Sequence, residues 1–312
     1  MNEKIKLIVD EVQKVIIGKQ DVVEKLLMGI FAQGHVLLDD VPGVGKTSMA
    51  VALSRALGLQ YRRIQFTPDV LPSDITGFSI YNKNNGTLEY MPGVVADANI
   101  LLGDEINRTS SKTQSALLEA MEEGQVTVDG KTHLLQKPFV VIATQNNVGT
   151  AGTQLLPYAQ LDRFLIRLSV GYPDFNSQMD IIRDRQKTNP VDAVEQVCCR
   201  EDVLRMQAEV LDVIAEDSTI AYITQLAMAS RNSQMVELGI SPRGAISICR
   251  MAKARAYVYG RDCVIREDVQ SVFGDVCAHR IILSQKAKIQ QLTVEQVLED
   301  IIKGVNMPDA AK

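Results

Sequence analysis

The chain has 312 residues, 46% hydrophobic and 23% charged, which is a globular composition with room for two domains and none for extensive disorder. A net charge of −5, with no basic stripe, argues against a protein that lives on bare nucleic acid. Five cysteines (Cys198, Cys199, Cys249, Cys263, Cys277) form no C-x-x-C pair, and His35, His133 and His279 are scattered, so no Cys/His metal site is expected and the thiols read as buried in a reducing compartment.

The first segment, "MNEKIKLIVDEVQKVIIGK", alternates charges with Ile, Leu and Val at helical spacing and lacks the apolar core of a signal peptide. No stretch approaches the roughly 20 apolar residues of a membrane helix. The expectation is a soluble, cytoplasmic protein without membrane insertion. Next, "HVLLDD" predicts a short buried strand and "KTSMAVALSRALG" a helix closed by Gly58. "YRRIQF" predicts a second strand. Thr76 to Met91 carries two β-like runs around "NKNNG", a hairpin signal. "ANILLGDE" predicts a third strand ending in two acids, and "TQSALLEAMEEG" an amphipathic helix closed by Gly124. Residues Gln125 to Leu135 form a second hairpin with Asp129 and Gly130 at its turn. "KPFVVIATQ" and "RFLIRLSV" predict a fourth and a fifth strand. This alternation argues for an α/β domain built on a mostly parallel sheet. Near Pro190 the character changes, and the segments from Glu201 to Val305 all read as helices. The division expected is a core at 1–189 and a helical lid at 190–312.

Between the first strand and its helix lies "DDVPGVGKTS", Asp39 to Ser48, close to the phosphate-loop pattern G-x-x-x-x-G-K-[ST]. A strand that ends in glycines before a helix gathers backbone N–H groups and the positive end of the helix dipole around one point. Pro42, Gly43, Val44, Gly45, Lys46, Thr47 and Ser48 are the candidate cradle. Lys46 can reach the β- and γ-phosphates, and the Thr47 hydroxyl can bind Mg²⁺. The third strand delivers Asp104, to hold the Mg²⁺ shell, and Glu105, to polarise an attacking water. Together these predict ATP hydrolysis with ATP and Mg²⁺ as ligands. No N-K-x-D segment is present to read guanine.

The run "QFTPDVLPSDITG…GDEINRTSSKTQSALLEAMEEGQVTVDG…VIATQN…LPYAQLDRF" resembles the MoxR family of AAA+ ATPases over roughly residues 5 to 305. The resemblance implies a P-loop NTPase core with strand order 5-1-4-3-2, a C-terminal all-helical lid, and activity in a homo-oligomeric, hexameric ring. It places the chain near magnesium chelatase and MCM ATPases, whose helix-2 insertion would correspond to about Leu71 to Ala96 and give the first hairpin a partner- or pore-facing role. It also implies a client protein, chaperone-like maturation or metal-cofactor insertion, and a von Willebrand factor A-domain partner.

Carried over by residue, Asn146 resembles the sensor-1 residue that positions water, Arg163 the arginine finger, and Arg243 sensor 2, acting in cis or in trans. Ile16, Ile17 and Gly18 resemble the adenine-touching segment. Alternatives stand beside the arginines: Arg163 could pair with Asp162 or Glu119, and Arg243 could be a surface residue at a helix start. Three positions depart from the family pattern: Tyr158 for glutamate, Asn147 for proline, and Asp40 for the first loop glycine. A carboxylate about 4 Å from a phosphate would cost about 4 kcal/mol at an effective dielectric of about 20, or about three decades of affinity. The expectation is that Asp40 turns toward solvent and that ATP binds somewhat weakened. An ATP-binding assembly switch with little turnover, or a nucleic-acid motor, are the competing readings; intact Glu105, Asn146 and Arg163 argue against the first and weakly basic hairpins against the second.

Overall fold

The computed structural model describes residues 1–84, 86–146, 156–186 and 189–306, so Asn147, and Asn85 of the "NKNNG" run, lie outside the described residues. The chain opens with α1 (Glu3–Gln13) and α2 (Gln20–Phe31), then β1 (Val36–Asp39), α3 (Lys46–Ala56), β2 (Tyr61–Gln65) and the short α4 (Pro72–Thr76). A hairpin of β3 (Gly77–Asn82) and β4 (Thr87–Pro92) precedes β5 (Ile100–Asp104) and α5 (Ser111–Glu123). A second hairpin, β6 (Gln125–Val128) and β7 (Lys131–Leu134), leads to β8 (Val140–Gln145), α6 (Tyr158–Leu161), β9 (Ile166–Leu168) and α7 (Phe175–Asp184).

The five expected strands form one parallel sheet in the order β2-β5-β8-β1-β9, which is 5-1-4-3-2 once the hairpin strands are left out of the count. β1, β5 and β8 are near-continuous apolar runs because helices cover both faces of a parallel sheet. Alternate residues feed two cores: Val36, Leu38, Ile100 and Leu102 pack on one side, and Leu37, Leu101 and Val141 on the other. β2 lies at the sheet edge and carries Arg62, Arg63 and Gln65 there. The register aligns Asp39 with Gln145 and Gln65 with Asp104, so every functional strand end falls on one rim. This is the carboxyl edge where ligands bind in open α/β sheets.

Both hairpins stand where expected. Asp129 (φ 48°) and Gly130 (φ 75°) make the two left-handed turn residues that a tight hairpin needs. Tyr90 of the first hairpin stacks on His133 of the second, with ring centroids 3.8 Å apart.

The remaining elements are α8 (Arg200–Asp212), α9 (Asp217–Asn232), β10 (Val236–Leu238), α10 (Pro242–Val258), α11 (Arg266–Cys277), β11 (Ile282–Leu283), α12 (Gln285–Ile289) and α13 (Val294–Gly304). This part is helical as expected, with one addition: β10 and β11 pair antiparallel, because α11 stops at Cys277 and the apolar end of "HRIIL" runs extended. Arg280 ties it to the sheet domain, its guanidinium pairing with Asp162 (2.6 Å) and donating to the carbonyls of Phe164 (2.6 Å) and Leu165 (3.1 Å). Among the described residues no helix is long and apolar enough to cross a membrane.

Candidate functional site

β1 delivers the loop and α3 begins at Lys46, with Gly45 as its N-cap. Gly43 (φ 85°) and Gly45 (φ 93°) adopt left-handed backbone that side chains rarely tolerate, and a Cβ on Gly43 would meet nothing within 4 Å. The loop therefore borders open space. Among the described residues no backbone acceptor closes on the N–H groups of Gly43, Val44 or Gly45. Unpaired N–H groups at a helix start attract anions. The cavity there is lined by Pro42, Gly43, Gly45, Lys46, Thr47 and Ser48 of the loop and helix start, together with Asp104, Glu105, Asn146 and Arg185.

Lys46 is buried, at 8% exposure, and its ammonium donates to the carbonyls of Asp40 (3.0 Å) and Val41 (3.3 Å) and to Asn146 Oδ1 (3.0 Å). Burial depresses its pKa, against the pull of the Asp40, Asp104, Asp39 and Glu105 carboxylates. The Asn146 amide donates in turn to Glu105 Oε1 at 2.7 Å. A continuous array thus runs from the loop lysine through the expected sensor to the expected water-polarising acid.

Asp40 does not turn toward solvent. Its Oδ2 accepts from the backbone N–H groups of Val170 (2.5 Å) and Gly171 (2.6 Å) and from the Ser169 hydroxyl (3.1 Å), while Oδ1 accepts from its neighbour Val41 (2.7 Å). Burial alone would raise its pKa, but these hydrogen bonds outweigh it and hold the carboxyl below its ordinary value. The side chain fastens the loop mouth to the chain leaving β9, which corrects the expected orientation.

Asp104 ends β5 and Glu105 follows it. Thr144, buried on the adjacent β8, links them: its hydroxyl donates to Asp104 Oδ1 (2.6 Å) and accepts from the Glu105 N–H (2.9 Å). Glu105 sits at φ 57°, a left-handed conformation uncommon outside glycine and asparagine and of the kind that clusters at functional sites. Its Oε2 is held by Arg108 (2.7 Å) and Gln65 (3.1 Å). Arg63 pairs with Asp104 Oδ2 at 2.7 Å. Among the described residues no cluster of three His, Cys, Asp or Glu side chains marks a further metal site.

A second, apolar cavity of about 210 Å³ adjoins the loop, lined by Ile16, Ile17, Val44, Val170, Tyr172 and Ile181. Gly18 is not among its lining residues; it packs against Ser177 at the start of α7. Arg163 and Arg243 lie elsewhere. Arg163 donates to the Leu118 carbonyl (3.0 Å) and pairs with Glu122 (2.7 Å), and Arg243, at the start of α10, pairs with the same carboxylate (3.2 Å). Both line one cavity with Arg250 and Arg280 that shares no residue with the phosphate loop. Arg163 thus pairs with neither Asp162 nor Glu119, and Asp162 belongs to Arg280. Tyr158 starts α6 and is exposed.

Residues 35–166 match the model of the ATPase family associated with various cellular activities (AAA), and residues 228–301 match an AAA lid domain. A solved structure of a Cytophaga hutchinsonii protein, 39% identical, matches with a TM-score of 0.90 over 98% of this chain and 95% of that one. The chain is 48% identical to the Bacillus subtilis protein YeaC (96% of this chain, 93% of that one) and 38% identical to Chaperone MoxR1 of Mycobacterium tuberculosis (96% of this chain, 81% of that one). The chain belongs to the MoxR family of AAA+ ATPases.

In this MoxR-family chain several side chains at the rim went unread in the sequence. Arg63 and Gln65 were legible in principle: in a strand, residues two apart share a face, and the strand predicted at "YRRIQF" pairs with the one that ends in the acids. Thr144 precedes Asn146 by two and could have been found the same way. Arg108 and Arg185 carry no such signal, since their placement follows from a short 3₁₀ turn and from a helix end.

Proposed function

We propose that this MoxR-family chain hydrolyses ATP as one subunit of a homo-oligomeric, hexameric ring and couples the cycle to remodelling of a client protein. The observation that carries the reading is the hydrogen-bonded array Lys46–Asn146–Glu105 at the carboxyl ends of β1, β8 and β5. Lys46 now satisfies its protons on neutral oxygens; phosphate oxygens, which are themselves ionised, form stronger bonds with the ammonium and would displace them. Glu105 takes a proton from the attacking water while Asn146 holds that carboxylate in line. Thr47 and Asp104 line the same cavity and offer the hard oxygen ligands that suit Mg²⁺. When bound there, the ion neutralises phosphate charge.

Arg163 and Arg243 act on a neighbouring subunit's nucleotide in this reading; their shared cavity, separate from the chain's own phosphate loop, supports it. The domain boundary falls near residue 190. A chaperone role rests on the name of the relative Chaperone MoxR1. Maturation or metal-cofactor insertion, a von Willebrand factor A-domain partner and a cytoplasmic setting rest on the family resemblance. The exposed Phe78, Tyr81 and Leu88 of the β3–β4 hairpin support a partner-facing role for it.

A second reading, an ATP-bound assembly switch, draws on Glu105 being held by Arg108 and Gln65. Steady-state hydrolysis with Glu105→Gln separates the two. Loss of a positioned general base lowers kcat by roughly 10²–10⁴-fold, with ATP binding retained. A wild type that binds ATP without turnover would leave the switch standing.

A further inference from the structure

Arg185 is the first residue past α7, and its guanidinium has no hydrogen bond or ion pair among the described residues. Its neighbour Arg183, by contrast, pairs with Asp180 at 3.0 Å. α7 is fixed at its start: Asp174 accepts from the Ser177 N–H (2.9 Å) and hydroxyl (3.0 Å), and a Cβ on Gly18 would lie 2.1 Å from Ser177 Oγ. Only glycine at position 18 lets the helix approach the segment at 16–18 so closely. Ile181, four residues before Arg185, lines the apolar cavity. The Arg185 N–H still bonds to the Ile181 carbonyl, so the helix end carries Arg185 over Ile181, toward the same cavity.

It does so at the junction of two cavities. Arg185 lines the apolar cavity with Ile17 and Ile181, and also the phosphate-loop cavity with Lys46, Asp104, Glu105 and Asn146. Gly43 and Gly45 are the other residues common to both linings. A guanidinium with no partner among the described residues, lining both cavities together with Gly43 and Gly45, between an apolar slot and an anion cradle, suits the part of a nucleotide that joins base to terminal phosphate. We propose that Arg185 is a nucleotide-binding residue of the chain's own site, gripping the α- and β-phosphates opposite the loop. This rests on the ATPase reading above and adds a cis cation that Arg163 and Arg243 do not provide.

The test is equilibrium binding of ATP and of ADP to the full chain, wild type beside Arg185→Gln and Arg185→Lys. The expected result is at least a tenfold rise in Kd for both nucleotides with glutamine and a smaller rise with lysine, which keeps the charge but loses the planar fork. Turnover should show the same split, KM rising at least tenfold and kcat changing less than threefold. Tm should stay at the wild-type value because the side chain is exposed and unpaired. A Kd within twofold of wild type for glutamine overturns the assignment and leaves the ATPase reading intact. A loss confined to ATP overturns the α,β placement. A wild type that binds neither nucleotide overturns both.

Discussion

Asp40 occupies the place of the first loop glycine, yet its carboxylate is fully engaged by the N–H groups of Val41, Val170 and Gly171 and by Ser169. The carboxylate keeps its charge, but its oxygens are directed at these donors and not into the cradle where a phosphate would sit. Asp40→Gly should therefore bring no gain in ATP affinity beyond about twofold, measured by calorimetric titration; a gain above tenfold would show that the charge does oppose the phosphates. The variant should also unfold more easily in urea, by about 2 kcal/mol, since hydrogen bonds to a charged group each contribute about 1.5–3 kcal/mol. The sign with pH follows from a carboxyl held below its ordinary 3.8: its stabilisation is present above that value and is lost as pH falls through the lower folded one. The gap between wild type and variant should close in strong acid.

Two buried imidazoles join elements. His35, just before β1, bonds through Nε2 to the Met121 carbonyl of α5 (2.9 Å) and accepts the Val141 N–H of β8 on Nδ1 (3.0 Å), so it must be the neutral Nε2–H tautomer. Burial depresses its pKa to about 4, a nearby Arg250 adding to the effect. His279, past α11, donates from Nε2 to the Phe164 carbonyl (3.1 Å) and is pushed well below 6.5 by burial and by Arg280. Both folded values are depressed, so the unfolded chain binds these protons first, and stability falls as pH drops below about 6.5. The slope should reach about 1.4 kcal/mol per pH unit for each histidine through pH 5, read from urea midpoints. A flat profile from pH 7 to 5 would contradict the neutral assignment. Elements differ in how far their sequence revealed them. The five sheet strands were legible because an apolar run between turn residues has few other uses. α2 was not, because it is buried nearly all round, Val22 through Phe31 with the exception of Lys25, and so loses its 3.6-residue stripe. α7 was not, because it is mostly exposed and short, marked only by its Asp174 cap.

Across the molecule, the meeting of the glycine loop with the two acids in one cavity was legible in the sequence, because each stands at the end of an apolar strand run. The distribution of the arginines could not. Arg280 spends its guanidinium on holding the helical part to Asp162, while Arg163 and Arg243 converge on Glu122 from two different parts of the chain. Long-range packing decides that, and no local spacing encodes it. The arrangement leaves the chain's own phosphate cavity without either arginine, so in the proposed ring a finger reaches it from a neighbour. The most direct test is ATP hydrolysis per subunit as a function of protein concentration, with Arg163→Ala beside the wild type. Specific activity should climb as subunits assemble, and the variant should be about 10³-fold or more slower, the scale of an arginine finger in other phosphoryl-transfer enzymes. Activity that is independent of concentration and untouched by Arg163→Ala would contradict the proposed ring.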